Sequence, residues 1–149
     1  MKSTVKGHMT GGPISIEPEA SALAAFDLMV EHGIRHLPVV DAKQRVCGVL
    51  SFDDLRAGLP MPLSLGAPID AGERQLASDT CVGEVMTHAP VTVRADTPLE
   101  RAAELMAERR IGCLPVVDSN GCIEGILSET DLLHALVTVL WSERRQTSA

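Results

Sequence analysis

The chain is one unit written twice, and this duplication constrains its fold more than any other feature. Sliding the 149-residue sequence on itself by 77 positions aligns the halves without a gap, and 19 of the 52 pairs from position 5 to 56 are identical. Val5 falls on Val82, Met9-Thr10 on Met86-Thr87, Pro13 on Pro90 and Leu28-Met29 on Leu105-Met106. The block Leu37-Pro38-Val39-Val40-Asp41 falls on Leu114-Pro115-Val116-Val117-Asp118. Gly48 meets Gly125, Ser51 meets Ser128, and Asp54-Leu55 meets Asp131-Leu132. Residues 5–59 and 80–141 are therefore expected to form two like units, with 60–79 as a linker and 142–149 as a flexible tail.

Each copy reads strand, helix, strand, strand, helix, an α/β (α+β) unit. The β-branched runs Ile14-Ser15-Ile16 and Val91-Thr92-Val93 predict the first strands. Ala25, Leu28, Met29 and His32, and then Ala102, Leu105, Met106 and Arg109, follow at helical spacing. Gly33 is placed to stop the first of these helices. In the second copy, Thr97-Pro98-Leu99-Glu100 has the pattern of a capping box, with Thr97 as N-cap. Strands are expected at 37–41 and 46–50 and again at 114–118 and 123–127, with Asn120-Gly121 as the second hairpin turn. Further helices open at Ser51 and Ser128. Pro60, Pro62, Gly66, Pro68 and Gly72 make the linker read as irregular. A three-stranded sheet with helices on one side leaves its other apolar face open, and two copies back to back, related by a pseudo-twofold axis, can bury it.

Composition narrows the function classes. Apolar residues make up 45% of the chain and aromatics 2%, so the core is built from Val, Ile, Leu, Met and Ala. The net charge of −7 argues against general nucleic-acid binding. Cys47, Cys81, Cys113 and Cys122 form no C-x-x-C pair and read as reduced, mostly buried thiols. His8, His32, His36, His88 and His134 lack metal-ligand spacing. No secretory signal or membrane-length apolar run is present, which points to the cytoplasm. No nucleophile–base pair and no phosphate-binding glycine loop appears, so no catalytic residue, metal or required cofactor is expected. After Asp131 the chain is too apolar for a helix with one wet face, and a homodimer contact through Leu136, Val137, Leu140 or Trp141 is expected. Arg109, Arg110, Arg144 and Arg145 read as solvated helix faces or ends.

The Met-Thr lead-in, the Leu-Pro-Val-Val-Asp strand and the Gly-x-x-Ser-x-x-Asp element recur in register in both copies. Over nearly the whole chain these residues resemble the cystathionine β-synthase (CBS) domain family. The resemblance implies a tandem CBS pair of two β-α-β-β-α repeats, sheets face to face, in which adenosine compounds such as AMP, ADP, ATP or S-adenosylmethionine bind in clefts between the motifs. Such pairs regulate an attached or associated protein, and no effector domain is expected within these 149 residues.

The chemistry of Gly48–Asp54 and Gly125–Asp131 suits such a ligand. A carboxylate can accept hydrogen bonds from both hydroxyls of a ribose. A helix N-terminus offers free N–H groups and a favourable dipole to a phosphate. By resemblance, Asp54 and Asp131 bind ribose, with Ser51, Ser128 and Thr130 nearer the phosphate. The same Ser-x-x-Asp pattern also reads as a plain helix cap. Thr10, Pro13 and Ile14, and Thr87, Pro90 and Val91, border the adenine by resemblance, or are ordinary strand starts. Pro38, Cys113 and Pro115 complete the set on the Leu-Pro-Val-Val strands. Arg35 and His36 are candidate phosphate contacts from a neighbouring motif, or a solvated strand end; their counterparts are Gly112 and Cys113. His88 either approaches the phosphate or is exposed. Asp53, where the second copy has Thr130, sets a second carboxylate beside any phosphate in the first copy and so favours the second. The expected ligand element is Ser128–Asp131 beside Cys113 and the Thr87–Val91 lead-in, with Arg35 and His36 supplied by the other copy.

Three functions compete at this point: an adenosine-nucleotide sensor that modulates an unknown partner protein, a structural dimerisation or adaptor module with vestigial clefts, and a small nucleotide hydrolase.

Overall fold

A computed structural model describes residues 3–62 and 64–148. The elements in chain order are β1 (Thr10–Gly11), α1 (Ala22–His32), β2 (His36–Val40), β3 (Val46–Ser51), α2 (Phe52–Gly58), α3 (Ala71–Asp79), α4 (Val82–Val85), β4 (Thr87–His88), α5 (Leu99–Arg109), β5 (Cys113–Val117), β6 (Ile123–Ser128) and α6 (Glu129–Thr147). A single 3-10 turn, Val5–Gly7, precedes β1. The four hairpin strands lie within a residue of the expected spans.

The third strand of each sheet comes from the opposite copy. One sheet has the order β2-β3-β4 and the other β1-β6-β5. Thr10 pairs with Ile126, and Thr87 pairs with Val49. The runs expected as first strands, Ile14–Ile16 and Val91–Val93, shrink to one parallel bridge each, Ile16 with Val39 and Val93 with Val116. The reason lies in β2 and β5. Each is an edge strand carrying a proline at its centre, which cannot donate to a longer ladder. The Pro38 and Pro115 carbonyls accept only the Ile16 and Val93 amides, at 3.1 Å each.

The exchange continues at the helix starts. The Ala22 amide donates to the Thr80 carbonyl (2.7 Å), and the Leu99 amide donates to the Ser3 carbonyl (3.0 Å). Val5 and Val82 sit fully buried in the opposite halves' packing. The expected Thr97 cap of α5 is therefore not used. Pro98 is the N-cap and carries no side-chain cap bond, while Thr97 Oγ1 accepts from the Arg94 amide (3.0 Å). In the first copy, Ser21 does cap α1 by accepting from the Ala24 amide.

Gly33 ends α1 in the left-handed region at φ 63°, as expected. Its counterpart, Arg110, adopts the same conformation at φ 54° with a side chain in place. Only glycine takes this region without steric cost. Arg110→Gly is expected to stabilise the chain by about 1 kcal/mol, read as a rise in the urea midpoint. An unchanged or lowered midpoint would mean that the Arg110 side chain contributes more than its backbone costs.

The linker is not irregular throughout. Pro60, Pro62, Gly66 and Pro68 lie before a true helix, α3, which opens on a reciprocal capping box. The Glu73 amide donates to Asp70 Oδ1 (2.8 Å) and the Asp70 amide to Glu73 Oε2 (2.9 Å). Ala77 is buried against α1, and Arg74 reaches Asp27 at 3.9 Å. The tail is also not a coil: α6 runs through Thr147.

The two hairpin turns meet across the pseudo-dyad. The Val46 amide donates to the Gly121 carbonyl and the Ile123 amide to the Gln44 carbonyl, both at 3.0 Å. Arg45 and Cys122 face each other as an antiparallel bridge between these two bonds. A pair so placed has Cα atoms about 4.5 Å apart, within the range of a disulfide. Arg45→Cys is thus expected to close an intramolecular disulfide with Cys122 under mild oxidation, read as two titratable thiols lost from five in non-reducing conditions. Retention of all five would contradict the joined turns.

Candidate functional site

Two clefts follow from the swap, each built from one copy's Ser-x-x-Asp element and the other copy's lead-in. Ser51 and Ser128 are the N-caps of α2 and α6, and both helices open on capping boxes. The Asp54 amide donates to Ser51 Oγ and the Ser51 amide to Asp54 Oδ2, each at 2.9 Å. The Asp131 amide donates to Ser128 Oγ at 3.3 Å, while the Ser128 amide and hydroxyl donate to Asp131 Oδ2 at 2.8 and 3.1 Å. Capping is thus real at both positions. Among the described residues it engages only Oδ2 of each carboxylate, and both side chains stay half-buried, so Oδ1 remains available to a ligand.

The first cleft contains Asp54 and the lead-in Thr87, whose hydroxyl donates to Asp54 Oδ2 at 3.4 Å. Pro90 and Val91 follow, half-buried. Cys113 stands opposite Ser128 in the β5–β6 pairing, as expected, and is also near Asp54 of the first copy. Its thiol is pushed up to about 12, by burial first and then by the Asp54 and Glu129 carboxylates. The second cleft contains Ser128, Thr130 and Asp131 with the lead-in Thr10 and, beyond it, the half-buried Pro13 and Ile14. The expected grouping of Asp131 with Thr87–Val91 is therefore corrected: β4 lies on β3 beside Asp54, and β1 lies on β6 beside Asp131. A sequence repeat cannot reveal a swap, because both pairings bury the same residues.

Arg35 and His36 diverge. Arg35 stays with its own copy: its guanidinium lies 5.0 Å from the Phe52 ring centroid and 3.8 Å from Asp53. Arg56 also reaches Asp53, at 3.7 Å, so the extra carboxylate of the first copy is offset by two arginines. His36 instead crosses to the second copy. A Cβ on Gly112 would lie 3.0 Å from its Nε2. Pro38 and Pro115 are buried in mid-strand, where their carbonyls hold Ile16 and Val93. His88 is exposed on β4. Cys113 alone among the thiols is buried; Cys81 is exposed, and all four are free.

Sequence reasoning missed Glu129. It occupies the position of Phe52, which is wholly buried in the first copy, yet Glu129 is exposed at the start of α6 and near His36 and Cys113. The Phe–Glu mismatch in the repeat alignment was the available signal. Burial lowers the His36 pKa below 6.5; Glu129, Asp53 and Asp54 oppose this, and Arg35 adds to it. With the folded pKa below the unfolded one, the unfolded chain binds more protons at mildly acidic pH. The His36 contribution to stability is then complete above about pH 6.5 and is lost as pH falls through its folded value. His36→Gln is expected to flatten the dependence of melting temperature on pH below 6.5. Identical pH profiles in both proteins would contradict the buried placement.

The chain matches the CBS domain family model twice, over residues 5–60 and 82–138. It is 31% identical to a CBS domain-containing protein of Dictyostelium discoideum, over 94% of this chain and 95% of that one. It is 32% identical to a homoserine O-acetyltransferase of Methanocorpusculum labreanum, covering 87% of this chain but 23% of that enzyme. Among solved structures, CBSX2 of Arabidopsis thaliana in complex with AMP superposes with a TM-score of 0.73 at 34% identity, covering 91% of this chain and 97% of that one. The two matched repeats, with their exchanged sheets, form a tandem CBS pair. The chain belongs to the CBS domain family. Among the described residues, no helix is long and apolar enough to cross a membrane.

Proposed function

We propose that this chain is a regulatory module that binds an adenosine nucleotide between its two CBS motifs and thereby modulates a partner protein. The observation that carries this reading is the juxtaposition at α6: a capped helix N-terminus, the spare Oδ1 of Asp131, and the Thr10–Ile14 lead-in of the other copy. Ribose would lie on Asp131, adenine against Pro13 and Ile14, and phosphate toward Ser128, Thr130 and His36. The AMP complex of CBSX2 supports the ligand class. The CBS domain-containing protein of Dictyostelium, matched over 95% of its own length, supports a CBS pair acting as the regulatory module. Four free thiols fit a reducing compartment such as the cytoplasm. Because the two copies contribute to each cleft, a ligand that fits one arrangement better shifts their packing, and this is how a partner would be informed.

A structural adaptor with vestigial clefts is the second reading, favoured by the commitment of both aspartates to capping boxes. Thermal denaturation with AMP, ADP, ATP, S-adenosylmethionine and NAD separates the two. A rise in melting temperature that grows with concentration of an adenosine compound supports the sensor. A flat response to the whole panel supports the adaptor.

A further inference from the structure

Four residues around the start of α2 differ from their counterparts around the start of α6, and in the first copy they touch one another. Arg35, Phe52, Asp53 and Arg56 stand where the second copy has Gly112, Glu129, Thr130 and Leu133, while Ser51 and Asp54 match Ser128 and Asp131. The cap and its carboxylate are kept, and the set beside them is exchanged as a unit. The Arg35 guanidinium lies over the fully buried Phe52 ring, 5.0 Å from its centroid. Its Nη2 is 3.8 Å from Asp53 Oδ1, and Arg56 Nη1 is 3.7 Å from the same oxygen. The Arg35 carbonyl accepts the Phe52 amide at 2.9 Å, which ties the backbone before β2 to the start of α2.

Two arginines converging on one oxyanion form the arrangement by which proteins recognise a phosphate. Here the oxyanion belongs to the chain itself. Asp53 holds the position that Thr130 holds in the second cleft, where the phosphate of a nucleotide would lie. A phosphate brought to the first cleft meets Asp53 and must displace it from both arginines. The neighbouring groups call for no anion either. Arg35 and Arg56 balance Asp53 and Asp54 in charge. The Thr87 hydroxyl donates to Asp54 Oδ2. The Cys113 thiol stays protonated near Asp54, because burial pushes it up to about 12. Pro90 and Val91 supply a half-buried apolar wall. The first cleft thus offers an acceptor for a ribose diol and a wall for a base, with its anion position already filled.

We propose that Asp53 is a built-in substitute for phosphate, so that the first cleft takes an uncharged adenosine compound while the second takes the nucleotide. The assignment of the second cleft rests on the nucleotide reading above. The selectivity of the first depends on Asp53 and its two arginines. A module with two such clefts responds to nucleoside and nucleotide together rather than to either alone.

Calorimetry on the full chain with adenosine and AMP tests this. Asp131→Ala weakens the second cleft and leaves the first to be read. In that variant adenosine is expected to bind about tenfold more tightly than AMP, the effect of setting like charges against each other. Adding Asp54→Ala should weaken the adenosine binding that Asp131→Ala retains. Adding Asp53→Thr instead, the residue of the second cleft, should raise AMP affinity by about tenfold and leave adenosine affinity unchanged. Asp53→Asn, which keeps the shape of the side chain, should do the same, and Arg35→Ala on top of either should cancel the gain. AMP affinity unmoved by both Asp53 substitutions overturns the proposal. So do equal gains for adenosine and AMP, because only a charge effect separates the two ligands. The nucleotide reading is judged apart. AMP heat in the wild type that Asp131→Ala reduces, with no adenosine heat in Asp131→Ala, upholds that reading and overturns the first-cleft assignment. No heat from either ligand in the wild type overturns both.

Discussion

Replacing Gly125 by valine is expected to lower stability by about 3 kcal/mol, the range for forcing extra carbon into a packed site, and the melting temperature by about 10 °C. A Cβ at position 125 would lie 2.5 Å from the Met9 sulfur and 2.9 Å from the Thr10 carbonyl oxygen. The thioether can rotate away, but the carbonyl belongs to β1, which is hydrogen-bonded to β6 in this register. The lead-in must therefore lift off the sheet. Gly48 meets the Met86 sulfur at 2.5 Å and the Thr87 oxygen at 3.0 Å in the same way, so Gly48→Val should behave alike. Gly11→Ala is the control: nothing lies within 4 Å of its Cβ position, and a change within about 0.5 kcal/mol is expected. Chemical denaturation of the three variants checks this. Gly125→Val as stable as Gly11→Ala would contradict the exchange of lead-ins between the copies. The damage should also be local in function, since Gly125 holds the second cleft's lead-in and Gly48 the first's.

Asp131→Ala carries the second large effect. A charge-assisted bond to ribose is worth roughly 1.5–3 kcal/mol, so AMP affinity should fall about tenfold or more. The reciprocal half of the capping box is lost as well, at up to about 1 kcal/mol of stability, because the Ser128 amide and hydroxyl donate to the same carboxylate, while Ser128 Oγ still accepts the amide of residue 131. The two losses are separable. Asp131→Asn retains an oxygen that can accept from the Ser128 amide but removes the charge, so it should recover much of the stability and little of the affinity.

The repeat made most of the fold legible. Hairpin strands, the Ser51 and Ser128 caps and the Gly33 stop all depend on local residues, and each was readable from type and spacing. What escaped depends on which copy a segment meets. The Thr10 and Thr87 lead-ins exchange sheets, and two identical Met-Thr pairs carry no mark of which partner strand they choose. Thr97 looked like a cap because the pattern was complete, but the N-terminal segment takes over: the Ser3 carbonyl accepts the Leu99 amide and leaves Thr97 to Arg94. In the linker, Asp70-x-x-Glu73 stands among Pro and Gly, yet it is a capping signal as clear as any in the chain and starts α3. At the clefts, residue types were readable but their company was not. Arg35 turns back to Asp53 and Phe52, His36 reaches across to Gly112, and the role of Glu129 depends on that crossing.

Isothermal titration of AMP into wild type, Asp131→Ala and Asp54→Ala tests the central claim most directly. Asp54 is the internal comparison, since it caps its helix in the same manner but also accepts from the Thr87 hydroxyl of its lead-in. The account predicts saturable heat with wild type, affinity reduced about tenfold or more in Asp131→Ala, and a smaller change in Asp54→Ala. Equal affinities in all three proteins, or no heat in the wild type, would contradict it.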